Sequence, residues 1–306
     1  AAEIAALVLA LFTLLNLMGV KKASRAQVIL MSFVVFILLL FVIMGVFKVN
    51  LTRFETFAPF GYNPVFLALG YVFSIYIGFE LITNVSEEVK RAQKIVPRAI
   101  IATIVLALLL FPTIIAVMVG VVDNKDLVSS EVPLVFAALE IYAPFGLAMA
   151  FAAIIASLAS LNASIIASSR TLFSLSRDGH IPKVFENIHS HFKTPYFSLI
   201  FTFALTLFII LVFHIELIVY ISDLAYLLGL TLINPAGIVI SKKLGRKLGA
   251  NLVIPLLALA STILILPTIT PKAMLIGLIL TAIGLALATL ERAVKTKRAS
   301  IKSIKT

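Results

Sequence analysis

Two residues in an otherwise apolar run carry the strongest chemical signal in this 306-residue chain. They are Gly78 and Glu80, inside Leu69–Pro97, LGYVFSIYIGFELITNVSEEVKRAQKIVP. An acid at the middle of a membrane helix is expensive, about 2.5–3.5 kcal/mol for Asp on insertion scales. A glycine beside it weakens the helix at the same place. Because both departures coincide, the run reads as a membrane helix broken near its middle. Backbone groups freed at such a break can hold a solute. Glu80 itself reads in three ways: a proton carrier linked to opening and closing of the break, a permanently charged gate partner, or a buried structural acid held by backbone donors. The proton carrier is the reading taken forward.

Other polar residues in apolar surroundings are candidates too. The run from Ala156 to Ser168 is rich in Ala and Ser, and small residues let membrane helices approach closely. Within it Ser160 and Ser164 are four apart and share one helix face, so they could line a site together or serve packing alone. Asp223 falls about a third of the way into its apolar segment. It reads either as a second functional acid or, more simply, as a water-facing acid near an outer vestibule. His180, His189 and His191 lie in a polar connection with no acidic or His partner at a metal-ligand spacing. They read as solvated residues, and neither a metal nor a cofactor is expected.

The elements that must position these residues follow from composition. Hydrophobic residues make up 61% of the chain and the mean hydropathy is +1.15, too apolar for a soluble domain of this size. The solvent for most of the chain is a lipid bilayer. There is no cysteine, which excludes disulfides, thiolate metal sites and cysteine nucleophiles. Residue 1 is Ala and no basic, cleavable leader is visible, so the chain reads as beginning inside a longer protein. Nine apolar segments of spanning or near-spanning length are predicted: roughly 4–20, 26–47, 64–86, 97–122, 145–170, 195–213, 216–240, 251–268 and 271–290. Pro97 is expected at the first position of the fourth segment, with a kink at Pro112. Residues 121–138 read as an outer loop carrying a short amphipathic helix, and Asn234-Pro235 as a break in the seventh segment.

The formal net charge of +11 could suggest nucleic acid, but its distribution argues otherwise. Of the 25 basic residues, 21 fall in alternate connections, around Lys21–Arg25, Lys90–Arg98, Arg170–Lys193, Lys242–Lys247 and Arg292–Lys305. Only Lys48, Arg53, Lys125 and Lys272 fall on the other side. The positive-inside rule makes the first set, and the C-terminal tail, cytoplasmic. The charge is an orientation signal, and no nucleic-acid partner is expected.

Three stretches carry a resemblance: NLMGVKKASRAQ, YIGFELITNVSEEVKRAQKIVPRAI and LNASIIASSRTLFSLSRDGHIPKVFENIHSHFKTP. The spaced set Gly78-Phe79-Glu80, Glu87-Glu88-Val89-Lys90, Pro97-Arg98-Ala99, Arg177-Asp178-Gly179, Pro182 and Thr194-Pro195 is similar to amino acid permeases of the amino acid–polyamine–organocation superfamily. The resemblance covers the whole chain. It implies an all-α, polytopic membrane bundle, part of a twelve-helix, leucine-transporter-type fold built on two inverted five-helix repeats. In that frame residues 1–306 form one permease domain. Residues 1–50 hold helices four and five, the remainder of the first repeat. Residues 63–240 form the second repeat, helices six to ten; residues 251–290 are helices eleven and twelve, and 291–306 a basic cytoplasmic tail. Helices one to three, with their Gly-rich break, would come from a longer reading frame or a partner chain. Two departures stand out. Arg91-Ala92 occupies the place where the family usually has Asn-Pro, and by this resemblance Val34 stands where some proton-coupled relatives have a lysine.

Function follows from the resemblance as expectation: a secondary transporter of amino acids in the plasma membrane, working by alternating access as a proton- or sodium-coupled symporter or an exchanger. Carbonyls at the end of the outer half of helix six would accept hydrogen bonds from the substrate α-ammonium. The implied contacts are Phe73, Ser74, Ile77 and Gly78, with Ser160 and Ser164 facing the break from helix eight. Ser74 sits where relatives carry an aromatic gate. Ser74 and the helix-eight serines also admit a plainer role, back-bonding to i−4 carbonyls. No acid other than Glu80 is evident for a cationic side chain, which points to neutral substrates. Two other classes compete with this reading. A membrane-embedded enzyme lacks a Ser–His or paired-Asp constellation at one depth. A non-transporting sensor or scaffold subunit on a transporter-like body is the alternative.

Overall fold

The computed structural model describes residues 2–18, 20–55, 61–245, 248–279, 281–286 and 289. Among them every regular element is helical. In chain order they are α1 (Ala2–Leu17), α2 (Val20–Val46), a 3₁₀ turn (Leu51–Phe54), α3 (Tyr62–Leu67), α4 (Leu69–Tyr76), a 3₁₀ helix (Phe79–Glu88), α5 (Ala92–Val121), α6 (Asn124–Ser129), α7 (Pro133–Ile141), α8 (Ala143–Arg177), a 3₁₀ turn (Lys183–Glu186), α9 (Tyr196–Val212), α10 (Ile215–Lys243), α11 (Leu248–Ile265) and a 3₁₀ turn (Leu266–Thr268). A further helical stretch follows from Pro271.

Five stretches are long and apolar enough to cross a bilayer: Gln27–Val46, Tyr62–Asn84, Ala92–Val121, Ala143–Arg177 and Leu217–Lys243. Leu252–Thr268 and Pro271–Ala286 form a pair bent by 118°, a sixth span if counted together. Pro267 and Pro271 stand at that bend, where proline removes backbone donors. Glu3–Leu17 and Tyr196–Val212 are apolar but shorter. Among the described residues, each of the nine apolar segments thus corresponds to a helical stretch, though not every one spans by itself. Large apolar side chains face outward, among them Leu7, Leu109, Leu147 and Leu232. Lipid makes such exposure favourable, and the chain is a polytopic membrane bundle.

The chain divides into two compact units, Ala1–Pro59 with Gly78–Leu207, and Phe60–Ile77 with Phe208–Thr306. In the first, α2, α5, α7 and α8 enclose a core of Phe41, Ile114, Val117, Ala137, Ala138 and Met149. Gly45 lets α2 approach closely: a Cβ there would lie 2.3 Å from Val117 Cγ1 and 2.9 Å from Ile141 Cδ1. In the second unit, Leu224 and Leu227 of α10 pack with Ile269, Ala273 and Phe73.

Several local expectations need correction. Pro97 does not open the fourth segment. α5 starts five residues earlier at Ala92, after Arg91 in the left-handed conformation (φ 56°), and runs through both Pro97 and Pro112. A proline in the second turn removes only one hydrogen bond, and the charged first turn remains helical. Asn234-Pro235 does not end α10, which continues to Lys243. The connection 121–138 holds two helices, and α7 is no surface loop: Ala137 and Ala138 are fully buried and α7 packs along α8. The tail 291–306, including Arg292, Lys295 and Lys297, lies outside the described residues.

Candidate functional site

The long apolar run does break, and it breaks at the glycine. α4 ends at Tyr76, Ile77 is extended (φ −68°, ψ 140°), and Gly78 takes φ 124°, ψ −16°. An L-residue is strained at that φ, whereas glycine is not. Beyond it the chain forms ten residues of 3₁₀ helix. Runs beyond 3–4 residues are uncommon for this tighter helix and often mark a hinge. The passage from the second unit to the first falls between Ile77 and Gly78.

On the α4 side, a helix stopping at Tyr76 leaves its last carbonyls, from Phe73 onward, without i+4 partners. Ile77 N–H turns back to the Ser74 carbonyl at 3.3 Å. The negative end of the helix dipole falls here, which suits an ammonium group. The Phe73 ring meets the Tyr226 ring edge-on, with centroids 6.0 Å apart. Ser74 Oγ lies 3.2 Å from the Gly70 carbonyl, the i−4 contact expected of a helical serine, but also 2.7 Å from Asp223 Oδ2. One turn earlier the hydroxyls of Tyr71 and Tyr220 pair. Two polar rungs with matching three-residue steps mean that α4 and α10 run in the same direction.

On the other side of the break, Gly78 N–H donates to Glu80 Oε2 at 2.9 Å. The carboxylate folds back over the first donor of its own helix, a position where negative charge is favoured. Thr83 Oγ1 donates to the Glu80 carbonyl at 2.6 Å, and the 3₁₀ helix packs against α5 and α8. Glu80 is half-buried and Gly78 offers open space where a side chain would stand.

Ser160 and Ser164 share an exposed face of α8, and neither hydroxyl forms a hydrogen bond among the described residues. They are therefore not back-bonded as Ser157 and Thr171 are, and nothing in their surroundings assigns them a ligand. The buried face two residues round is the polar one. Gln27 Nε2 donates to the Ala159 carbonyl at 2.9 Å, Asn162 Nδ2 to Gln27 Oε1 at 3.0 Å, and Asn16 Nδ2 to Asn162 Oδ1 at 2.8 Å. This chain of amides ties α1, α2 and α8 together.

Three participants were missed or misplaced by sequence reasoning. Asp223 is not water-facing but 3% exposed and bonded to Ser74. Asn16 and Asn162 went unremarked as intramembrane polar residues, although three amides at 16, 27 and 162 in apolar runs are a signal in themselves.

Lipid-facing helices with one span broken beside an acid define a membrane protein of the permease type. The chain belongs to the amino acid permease family, whose profile matches residues 3–287. It is 31% identical over 241 residues to the methylthioribose transporter of Bacillus subtilis, covering 78% of this chain and 52% of that protein. It is 26% identical over 233 residues to the branched-chain amino acid permease BcaP of Bacillus subtilis, covering 76% and 50%. Against cationic amino acid transporter 9, chloroplastic, of Arabidopsis thaliana it is 29% identical over 193 residues, covering 61% and 33%. The chain spans about half or less of the length of these relatives.

Proposed function

We propose that this chain is the portion from helix four onward of a secondary active transporter that moves amino acids across the cell membrane by alternating access. The observation that carries the reading is the break itself: a helix end at Tyr76, an extended Ile77, a left-handed Gly78 and a carboxylate folded onto the Gly78 N–H. In this reading Phe73, Ser74, Ile77 and Gly78 present carbonyl groups to the substrate ammonium, and Ser160 and Ser164 contribute from α8. Residues 63–240 act as the second five-helix repeat of a twelve-helix fold, preceded by helices four and five within 1–50. Residues 251–290 are the two accessory helices, with the tail in the cytoplasm.

Coupling to a proton falls to Glu80. Its carboxylate holds the first donor after the break, so a change in its charge alters the geometry there directly. The relatives' printed names cover methylthioribose, branched-chain amino acids and cationic amino acids; the last two support an amino acid as the solute, and the first a small polar solute more broadly. The test is uptake of labelled amino acids into proteoliposomes holding the full-length reading frame. Concentrative uptake driven by a pH difference is expected. Folded protein that moves no amino acid under any imposed gradient would end the reading.

A further inference from the structure

The second acid of the structure has no role in that reading. Asp223 is 3% exposed, lies one residue before Leu224 in a tightly packed stretch of α10, and is bonded to Ser74 of α4. The charged and titratable groups around it are few. α4 contributes Tyr71, whose hydroxyl pairs with Tyr220. α10 contributes Tyr220 and Tyr226, one turn to either side. Among the described residues, α11 and the 266–268 turn contribute none, and the helical stretch after them contributes only the exposed Lys272. Among the described residues no cation partners the Asp223 carboxyl; a buried carboxylate in that position is costly, and proteins commonly meet that cost by neutralising the group.

The hydrogen count at Ser74 bears on the same point. Its Oγ is within bonding distance of two acceptors, Gly70 O at 3.2 Å and Asp223 Oδ2 at 2.7 Å, but a hydroxyl has one hydrogen to give. With Asp223 ionised, that hydrogen goes to the carboxylate and the Gly70 contact is unserved. With Asp223 protonated, the carboxyl donates to Ser74 Oγ and Ser74 donates to Gly70 O, so both contacts are hydrogen bonds. Protonation therefore reverses the direction of the rung between α10 and α4. Ser74 is also the residue whose carbonyl takes the Ile77 N–H, the last bond before the break.

We infer that Asp223 is a proton-binding site of this permease, distinct from Glu80, and that Ser74 transmits its protonation state to the end of α4. The proton comes from water on one side of the membrane and returns to water; only an O–H bond is made and broken. The inference rests on the transporter reading for its consequence, not for its chemistry.

Two measurements on the full-length protein in liposomes test it. In infrared difference spectra between acidic and alkaline buffer, the wild type should show the C=O stretch of a protonated carboxyl that Asp223→Asn removes. Ser74→Ala should keep that band and move it to higher frequency, because the acid loses its acceptor. Persistence of the whole carboxyl signal in Asp223→Asn overturns the inference. If that variant fails to fold, an unshifted band in Ser74→Ala overturns it instead. In the second measurement, amino acid affinity in the wild type should change with pH by about 5–150-fold, the usual range of coupling between two sites. Asp223→Asn, which keeps a group able to bond Ser74, should flatten that profile. A profile identical to wild type overturns the inference. Should the protein bind no amino acid at all, the transporter reading fails while the infrared result still decides Asp223.

Discussion

Asn16 Nδ2 donates to Asn162 Oδ1 across 2.8 Å in a fully buried contact between α1 and α8. The orientation of both amides is settled by the rest of the chain of bonds. The Ala159 carbonyl can only accept, so Gln27 turns its Nε2 toward it and its Oε1 toward Asn162. Asn162 then offers Nδ2 to Gln27 and Oδ1 to Asn16, whose Nδ2 also reaches the Phe12 carbonyl at 2.8 Å. Reversing any amide would face acceptor with acceptor. Asn16 Oδ1 ends the chain, buried and without a partner among the described residues.

Breaking this chain should cost stability without touching the break in the long span. Asn162→Leu keeps the volume but strands the amides of Asn16 and Gln27. Interhelical hydrogen bonds in membranes average about 0.6 kcal/mol and reach about 1.7 kcal/mol, so losing two predicts a loss of about 1–3 kcal/mol. Reversible unfolding in detergent measures it. A double-mutant cycle of Asn16→Leu with Asn162→Leu should give a coupling in the single-bond range. A coupling of zero means the contact contributes nothing.

Gly78→Ala separates backbone strain from side-chain bulk. Apart from its own chain neighbours, no atom of the described residues lies within 4 Å of where its Cβ would stand, yet φ is 124°. The methyl group therefore meets no neighbour, and the whole effect comes from the backbone. Left-handed conformations cost L-residues about 1–2 kcal/mol. The variant should lose about tenfold in substrate affinity with insertion unchanged, as that penalty shifts the chain away from the broken geometry. Gly78→Leu, which also fills the open space, should abolish binding. Isothermal titration against both variants checks the order, and wild-type affinity in either removes the break from the binding site.

The break was legible because two rare residues coincide in one apolar run, and the bilayer tolerates neither without cause. The spans were legible for the same reason. Less visible was what proline does in context. Pro97 looks like a helix start, but Arg91 in the left-handed conformation begins the helix one turn and more ahead of it, and a single lost hydrogen bond does not stop a helix already under way. Asp223 was misread because depth along a segment says nothing about which side of the helix an acid faces. Its partner Ser74 is 149 positions away, a pairing that no local spacing encodes. The amide chain is equally non-local: Asn162 lies between two serines on the exposed face of α8, while its own buried face carries the bonds to Gln27 and Asn16.

Orientation is open to a direct test. Lys125 and Lys243 are both exposed, so protein packing blocks a reagent at neither. The chain has no cysteine of its own, which makes single substitutions clean within it. By the positive-inside distribution, Lys125→Cys should react with a membrane-impermeant maleimide added outside intact cells. Lys243→Cys should react only after permeabilisation. The opposite pattern inverts the topology, and with it the assignment of the basic tail to the cytoplasm.

Glu80 decides whether the acid at the break carries a proton or only holds the chain. Glu80→Gln preserves the bond that the structure shows, because the amide oxygen still accepts from Gly78 N–H. It removes only the ability to take up and release a proton. A purely structural Glu80 therefore predicts a variant like the wild type in every assay. A proton-carrying Glu80 predicts that substrate binding and substrate–substrate exchange survive, since neither needs net proton movement. Uphill uptake driven by a pH difference should fall to the level of passive equilibration. Glu80→Ala serves as the companion variant: it loses the bond as well as the proton, and exchange should fall with it. If Glu80→Gln still concentrates substrate when only a pH difference is imposed, the proton travels by another group. If wild-type uptake requires sodium and ignores pH, proton coupling fails at Glu80, and the exposed hydroxyls of Ser160 and Ser164 become the residues to substitute next.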